Sequence, residues 1–167
     1  MKPKELVSSL ISELNTRLSV PVHTAGIEQS RPMPAVLVDG ISIDNTNYHN
    51  SNYAGSEWQD GSVVAEKYRQ YFTARIDLEV RASDEIDAYE HLGELQNALS
   101  LIEIDPREHI HNDVVRFTPG SSGQIRYQFN EPTETMLNQS VEIESFYETT
   151  HDDFETISSL KDYYDFN

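Results

Sequence analysis

The stretch "HIHND" places His109 and His111 two residues apart, with Asp113 close behind. Two imidazoles and a carboxylate can ligate a transition metal if they share one side of a strand. No third ligand can be located, and histidines at loop ends are ordinarily solvated, so the sequence assigns no metal. A second candidate, "TPGSSGQ" (118–124), has the glycines of a phosphate-cradling loop but neither its lysine nor a following helix. A turn between strands accounts for it. Neither Gly-x-Ser-x-Gly nor His-Glu-x-x-His occurs, and with no cysteine there is no thiolate, disulfide or Cys-based zinc site. Twenty-nine carboxylates offer no pair marked out by an apolar setting. The sequence therefore assigns no catalytic residue and no cofactor, and the expectation is a protein that is not an enzyme.

Charge is the strongest compositional signal. Twelve Lys and Arg stand against twenty-nine Asp and Glu, a net charge of −17, and the only lysines are Lys2, Lys4, Lys67 and Lys161. Such a surface repels nucleic-acid phosphates and anionic lipids, which argues against a basic docking patch. Either the protein works at molar salt, where the Debye length falls to about 3 Å, or the acidity is functional, as in a DNA mimic or a repulsive channel wall. The acids are spread along the chain and lysine is scarcer than arginine, which favours the halophilic reading. "MKPKELVSSL" lacks the apolar core of an export signal, and no apolar run is long enough to span a bilayer. A soluble protein is expected.

The elements read as helix, strands, helix, strands, without an internal repeat. Leu6, Val7, Leu10, Ile11, Leu14 and Leu18 form one helical stripe behind Pro3. "SVPVHTAG" (19–26) reads as a short strand, held to an edge or a strand start by Pro21. In "PAVLVDGISID" (34–44), Val36 and Val38 share one phase and Ile41 and Ile43 the other. Asp39-Gly40 at the slip is a tight hairpin turn or, the preferred reading, a bulge in one longer strand. Residues 45–62, rich in Asn, Ser and Gly, form a long loop or the tip of an extended hairpin. Its Tyr48, Tyr53 and Trp58 are candidate contact residues.

In "YRQYFTARIDLEV", Phe72, Ala74, Ile76, Leu78 and Val80 face a core, while Tyr71, Thr73, Arg75, Asp77 and Glu79 face water. A strand from Val63 to Val80 would span about 60 Å at roughly 3.3 Å per residue, so its first part should leave the domain as an arm. A helix capped by Ser83 or Asp84 follows, with Ile86, Tyr89, Leu92, Leu95, Leu99 and Ile102 as its buried stripe. "IDPREHIHND" ends it, and "VVRFTPG", "IRYQFNE" and "SVEIESFYE" supply three strands. After Tyr147, Phe154, Ile157, Leu160 and Tyr164 fall at helical spacing, giving either a short amphipathic helix that docks on a neighbour or a frayed acidic end. The expected fold class is α+β: a mainly antiparallel sheet, two helices packed on one face, a long hairpin arm and a C-terminal extension. The domain covers 1–148 and the acidic arm 149–167.

An N-terminal amphipathic helix, a Pro-x-Val edge strand, a hairpin, the strand "YFTARIDLEVRA" and then "SDEIDAYEHLGELQNAL" resemble the tail terminator and tail-completion proteins of tailed viruses, over about residues 4–148 in element order. Together with the acidic surface, the resemblance implies a tailed virus of a halophilic archaeon. It implies a homo-oligomeric ring, commonly a hexamer, that ends the tail tube and joins the head's neck. The partners would be the tail tube protein and a neck or head-completion protein. DNA would pass without specific binding, and no membrane is involved. Made in the host cytoplasm, the protein would reside in the virion. The C-terminal extension departs from the family pattern. An acidic DNA mimic or inhibitor-type binding protein is the alternative, and it would require carboxylates clustered on one face.

Overall fold

The computed structural model describes residues 1–24, 33–45, 52–128 and 134–151. Among these are three helices and one six-stranded sheet. Helix α1 (Pro3–Arg17) starts with proline in its first turn, where a missing N–H costs nothing. The Glu5 carboxylate accepts the Lys2 backbone N–H at 2.9 Å. Strand β1 (Val22–Thr24) lies parallel to β2 (Ala35–Asn45) at one end of the sheet. The Asn15 amide ties helix to strand, its Oδ1 accepting the Val22 N–H at 2.8 Å.

Strand β2 carries the phase slip seen in the sequence. Val38 pairs with Leu78 and Gly40 with Asp77, so Asp39 is the extra residue of a bulge. Ile41 and Ile43 thereby return to the face of Val36 and Val38, opposite Ile76 and Ala74. Strand β3 (Asn52–Gln59) then continues along the same side of β4 (Ser62–Ala82). Asp60 and Gly61 join the two, with φ of 51° and 79°, both positive as a two-residue type I′ hairpin turn requires. The segment read as a loop or hairpin tip is, from Asn52 onward, a hairpin.

Strand β4 is paired without a register break to β6 (Glu134–His151), from Glu66 opposite His151 to Ala82 opposite Thr135. Its alternation holds as expected on the core side: Phe72, Ala74, Ile76, Leu78 and Val80 are all buried. The other face is not uniformly wet. Thr73 and Glu79 are buried there too, and Glu79 accepts from the Arg81 Nε at 2.6 Å, as burying a carboxylate requires.

Two residues, Ser83 and Asp84, separate β4 from helix α2 (Glu85–Ile104). Asp84 is the cap, its Oδ1 accepting the Asp87 N–H at 2.9 Å. Glu85 and Asp87 sit against the positive end of the helix. Asp84→Ala should cost about 1 kcal/mol, the usual worth of such a cap, read as a lower denaturation midpoint. No loss would mean that the joint is fixed by packing alone.

The buried face of α2 is Ala88, Leu92, Leu95, Ala98, Leu99 and Ile102. Ile86 and Tyr89, expected in that stripe, are exposed instead. At about 100° per residue, Ile86 lies roughly 180° around the helix from Leu95, and Ala88 takes the inward position. Helices α1 and α2 cover the same face of the sheet, where Leu6, Leu10, Leu14, Leu95 and Leu99 join the inward residues of β2, β4 and β6 in one core. Among the described residues no helix is long and apolar enough to cross a membrane.

Helix α3 (Pro106–His109) is a single turn capped by Asp105 and leads to β5 (Val114–Gln128). "VVRFTPG" and the start of "IRYQFNE" were expected as two strands divided by a turn. They form one strand with register shifts around Pro119 and Ser122. β5 ends the strand order β1-β2-β4-β6-β5, where a proline without N–H is tolerated. The Gln139 side chain compensates for the irregular pairing, its Nε2 donating to the Gly120 and Ser140 carbonyls at 2.7 and 3.0 Å. A Cβ on Gly120 would push the Ser140 hydroxyl aside and lie within 3.2–3.3 Å of the Ser140 Cβ and carbonyl, a tight fit that favours glycine.

Candidate interaction surface

Beyond Phe72 the sheet continues as an arm in which β4 pairs with β6 as far as Glu66 and with β3 from Arg69 to Ser62, three strands wide near its base and two at its tip. From Phe72 to the turn it extends about 30 Å at roughly 3.3 Å per residue. Tyr53 and Tyr68 face each other across β3 and β4, ring centroids 5.9 Å apart and nearly perpendicular. The Tyr53 hydroxyl bonds the Ser56 hydroxyl, and the Tyr68 hydroxyl donates to Glu66 at 2.5 Å. That bond holds the Tyr68 phenol above its usual pKa.

On the other face Tyr71 packs on Phe146 with centroids 5.6 Å apart, and the Arg69 guanidinium lies 4.8 Å above the Phe146 ring. Arg69 also reaches Glu148 at 2.9 Å. Lys67 pairs with Glu57 at 2.6 Å, a hydrogen bond that raises the pKa of the ammonium. These cross-strand pairs organise the arm, while Trp58 beside its tip is 68% exposed and Tyr53 nearer its base 59% exposed. Large aromatics in that setting are what protein interfaces bury.

The remaining sequence candidates separate. Tyr48, Phe154, Ile157, Leu160 and Tyr164 lie outside the described residues. His109 and His111, expected on one side of a strand, instead end α3 and occupy the following turn. His109 Nδ1 is 3.0 Å from an Arg17 guanidinium nitrogen and 3.3 Å from Glu13. Arginine can only donate, so that imidazole nitrogen is the acceptor and its lone pair is taken. His111 Nδ1 accepts the Asp113 N–H at 3.1 Å, and the Asp113 carboxylate holds the Met1 ammonium, which also donates to the Phe146 carbonyl at 2.9 Å. Asp113 thus ties the N-terminus to the sheet. Among the described residues no cluster of three metal-ligating side chains occurs.

The helix-free face of the sheet holds a groove of about 540 Å³ lined by Ser42, Arg75, Asp77, Thr118, Ser140 and Glu142, among others. Its arginine is engaged with Glu142 at 3.0 Å, and Arg116 pairs with Glu144 alongside. Acids and bases alternate across β4, β6 and β5, so among the described residues this face carries no block of one sign. Sequence reasoning missed a further surface, the outer side of α2, where Ile86, Tyr89, Leu101 and Ile104 are exposed. The signal was present: isoleucines at 86 and 104 are spaced five helical turns apart. No protein-family model matches the chain, and no curated protein matches it in sequence.

Proposed function

We propose that the protein is a structural virion component, a ring-forming subunit at the head-proximal end of a viral tail. Such a ring would terminate the tail tube and join it to the neck. The observation that carries this reading is the arm: one sheet, backed by two helices over half its length, runs on as an extension that is three-stranded at its base, where Tyr53 is exposed, and narrows to a two-stranded tip carrying Trp58. A rigid wedge with a protruding apolar tip suits head-to-tail contacts that repeat by rotation and close. The element order resembles tail terminators, and a charge of −17 would let DNA pass a central hole without adhering. The interleaved Arg–Glu pairs on the helix-free face weigh against an acidic mimic, which needs its carboxylates concentrated.

Native mass spectrometry in high salt, with and without the tail tube protein, tests the ring. Six copies closed on the tube are expected. A chain that stays monomeric even with the tube present refutes the reading. Shortening the hairpin by equal lengths on both sides of Asp60-Gly61 should preserve the circular dichroism of the helices and abolish ring formation. Rings that still form would remove the arm from the contact.

A further inference from the structure

Helix α2 is apolar on two sides. One faces the sheet. On the other, Ile86 and Ile104 are 80% and 79% exposed, with Tyr89 and Leu101 exposed between them. At about 100° per residue, Ile86, Tyr89, Gly93, Asn97, Ser100 and Ile104 fall in one strip about 27 Å long, opposite the buried leucines. A surface helix ordinarily turns charge toward water. Here the acids flank the strip more than they occupy it.

Gly93 lies near the middle of the strip, and a Cβ there would meet nothing within 4 Å. Among the described residues no contact therefore asks for glycine, although glycine in a helix interior weakens the helix. A residue that weakens its helix and meets nothing among the described residues is accounted for by a neighbour packed on this strip. Its missing side chain lets another backbone come close, between flanking isoleucines that would grip it.

The charges select the occupant. Helix α2 carries Glu85, Asp87, Glu90, Glu94 and Glu103 and has neither lysine nor arginine. Glu94 is already held by Ser19, whose hydroxyl donates at 2.6 Å. A second copy laid on the strip would set these acids against themselves. A partner with cations beside its apolar side would neutralise them while burying Ile86, Tyr89 and Ile104. We propose that the outer strip of α2 binds an amphipathic helix of a different protein, one whose apolar stripe is edged by lysine or arginine. This surface is separate from the arm and does not rest on the virion reading.

The probe is a fluorescently labelled synthetic helix of about twenty residues, five to six turns, with an alanine–leucine stripe between rows of lysine. Its controls are a scrambled peptide of equal composition and the same stripe edged by glutamate. Anisotropy against the full chain should show the lysine-edged helix binding about tenfold or more tightly than either control, and Ile86→Ser with Ile104→Ser should weaken it about tenfold. Gly93→Ala should move two readouts in opposite directions. It should raise the melting temperature by about 2–4 °C, as restoring a helix former does in a domain of this size, and it should weaken the peptide. Equal binding of the scrambled peptide would overturn the proposal, as would full affinity in the double isoleucine variant. So would a dimer in sedimentation equilibrium that the double variant dissolves, which would assign the strip to a second copy.

Discussion

Replacing Phe72 with alanine should lower the unfolding free energy by about 3–5 kcal/mol, the range found on emptying a buried aromatic site. Phe72 is 1% exposed and is the first core residue met on leaving the arm. It pairs with Asn45 on β2 and Ser145 on β6, and its ring sits 6.2 Å from that of Tyr147. On its arm side the inward positions of β4 are Gln70 and Tyr68, both only half-buried. On its other side every inward position is closed off by the helices. Phe72 therefore seals the end of the core, and neighbours held by sheet pairing on both sides cannot collapse into the space it leaves. Against a typical total of about 5–15 kcal/mol, the loss should show as a much lower urea midpoint with an unchanged slope. Trp58→Ala removes more surface but from a side chain that is 68% exposed, so stability should stay within about 0.5 kcal/mol. Equal losses from the two substitutions would make the arm tip part of the core and end its candidacy as a contact.

Most of the sheet was legible because period-two alternation leaves few options once one face is buried. The arm followed from strand length alone. Asp-Gly was harder, since the chain contains it twice with different outcomes. At 39–40 both neighbouring runs pair with the same strand, and the dipeptide supplies a bulge. At 60–61 both residues take positive φ, and the chain reverses. The dipeptide marks a break in regular pairing; the runs on either side decide its kind. "TPGSSGQ" misled for a related reason. Proline and glycine read as a turn, but on an edge strand the lost N–H has no ladder partner to disappoint, and Gln139 from β6 bonds the displaced Gly120 carbonyl. That compensation comes from a residue nineteen positions away and leaves no local trace.

The candidate surface was legible in part. Tyr53 and Trp58 stood out as aromatics in polar sequence, and both are exposed. Helix α2 defeated a single-stripe reading because Ile86 and Tyr89 are as apolar as the leucines. Only the phase set by Leu92, Leu95, Leu99 and Ile102 tells inner from outer, and that phase points to the small Ala88. The histidines do not share a strand face because His109 closes a one-turn helix and His111 lies in the turn before β5. Arg17 and Asp113, remote in sequence from each other, then engage them separately.

Dilution from molar salt to about 10 mM should lower the melting temperature by about 5–10 °C, for reasons of number and range. Two effects of opposite sign are involved. Low salt strengthens the attractive pairs: Arg75–Glu142, Arg69–Glu148, Lys67–Glu57 and Arg116–Glu144. These are exposed and individually weak, and they act over contact distances that salt screens only partly. The repulsion is different. Even with every base paired, twenty-nine acids less twelve bases leaves seventeen without a partner. The Debye length rises from about 3 Å to about 30 Å on dilution, long enough for acids on opposite edges of the sheet to feel one another. At 10 Å in water one such pair costs about 0.4 kcal/mol, and the many pairs among seventeen charges outweigh a few surface contacts. The unfolded chain relieves this repulsion by expanding, so the folded state bears more of it. Melting curves in potassium chloride at fixed pH measure the balance. A salt that acted only by exclusion from protein surface would stabilise an acid-depleted variant just as strongly. Asp44→Asn, Glu85→Gln and Glu103→Gln together should flatten the salt dependence instead. A melting temperature that holds or rises on dilution would mean that the paired arginines govern the balance, and the case for a protein suited to molar salt would fall with it.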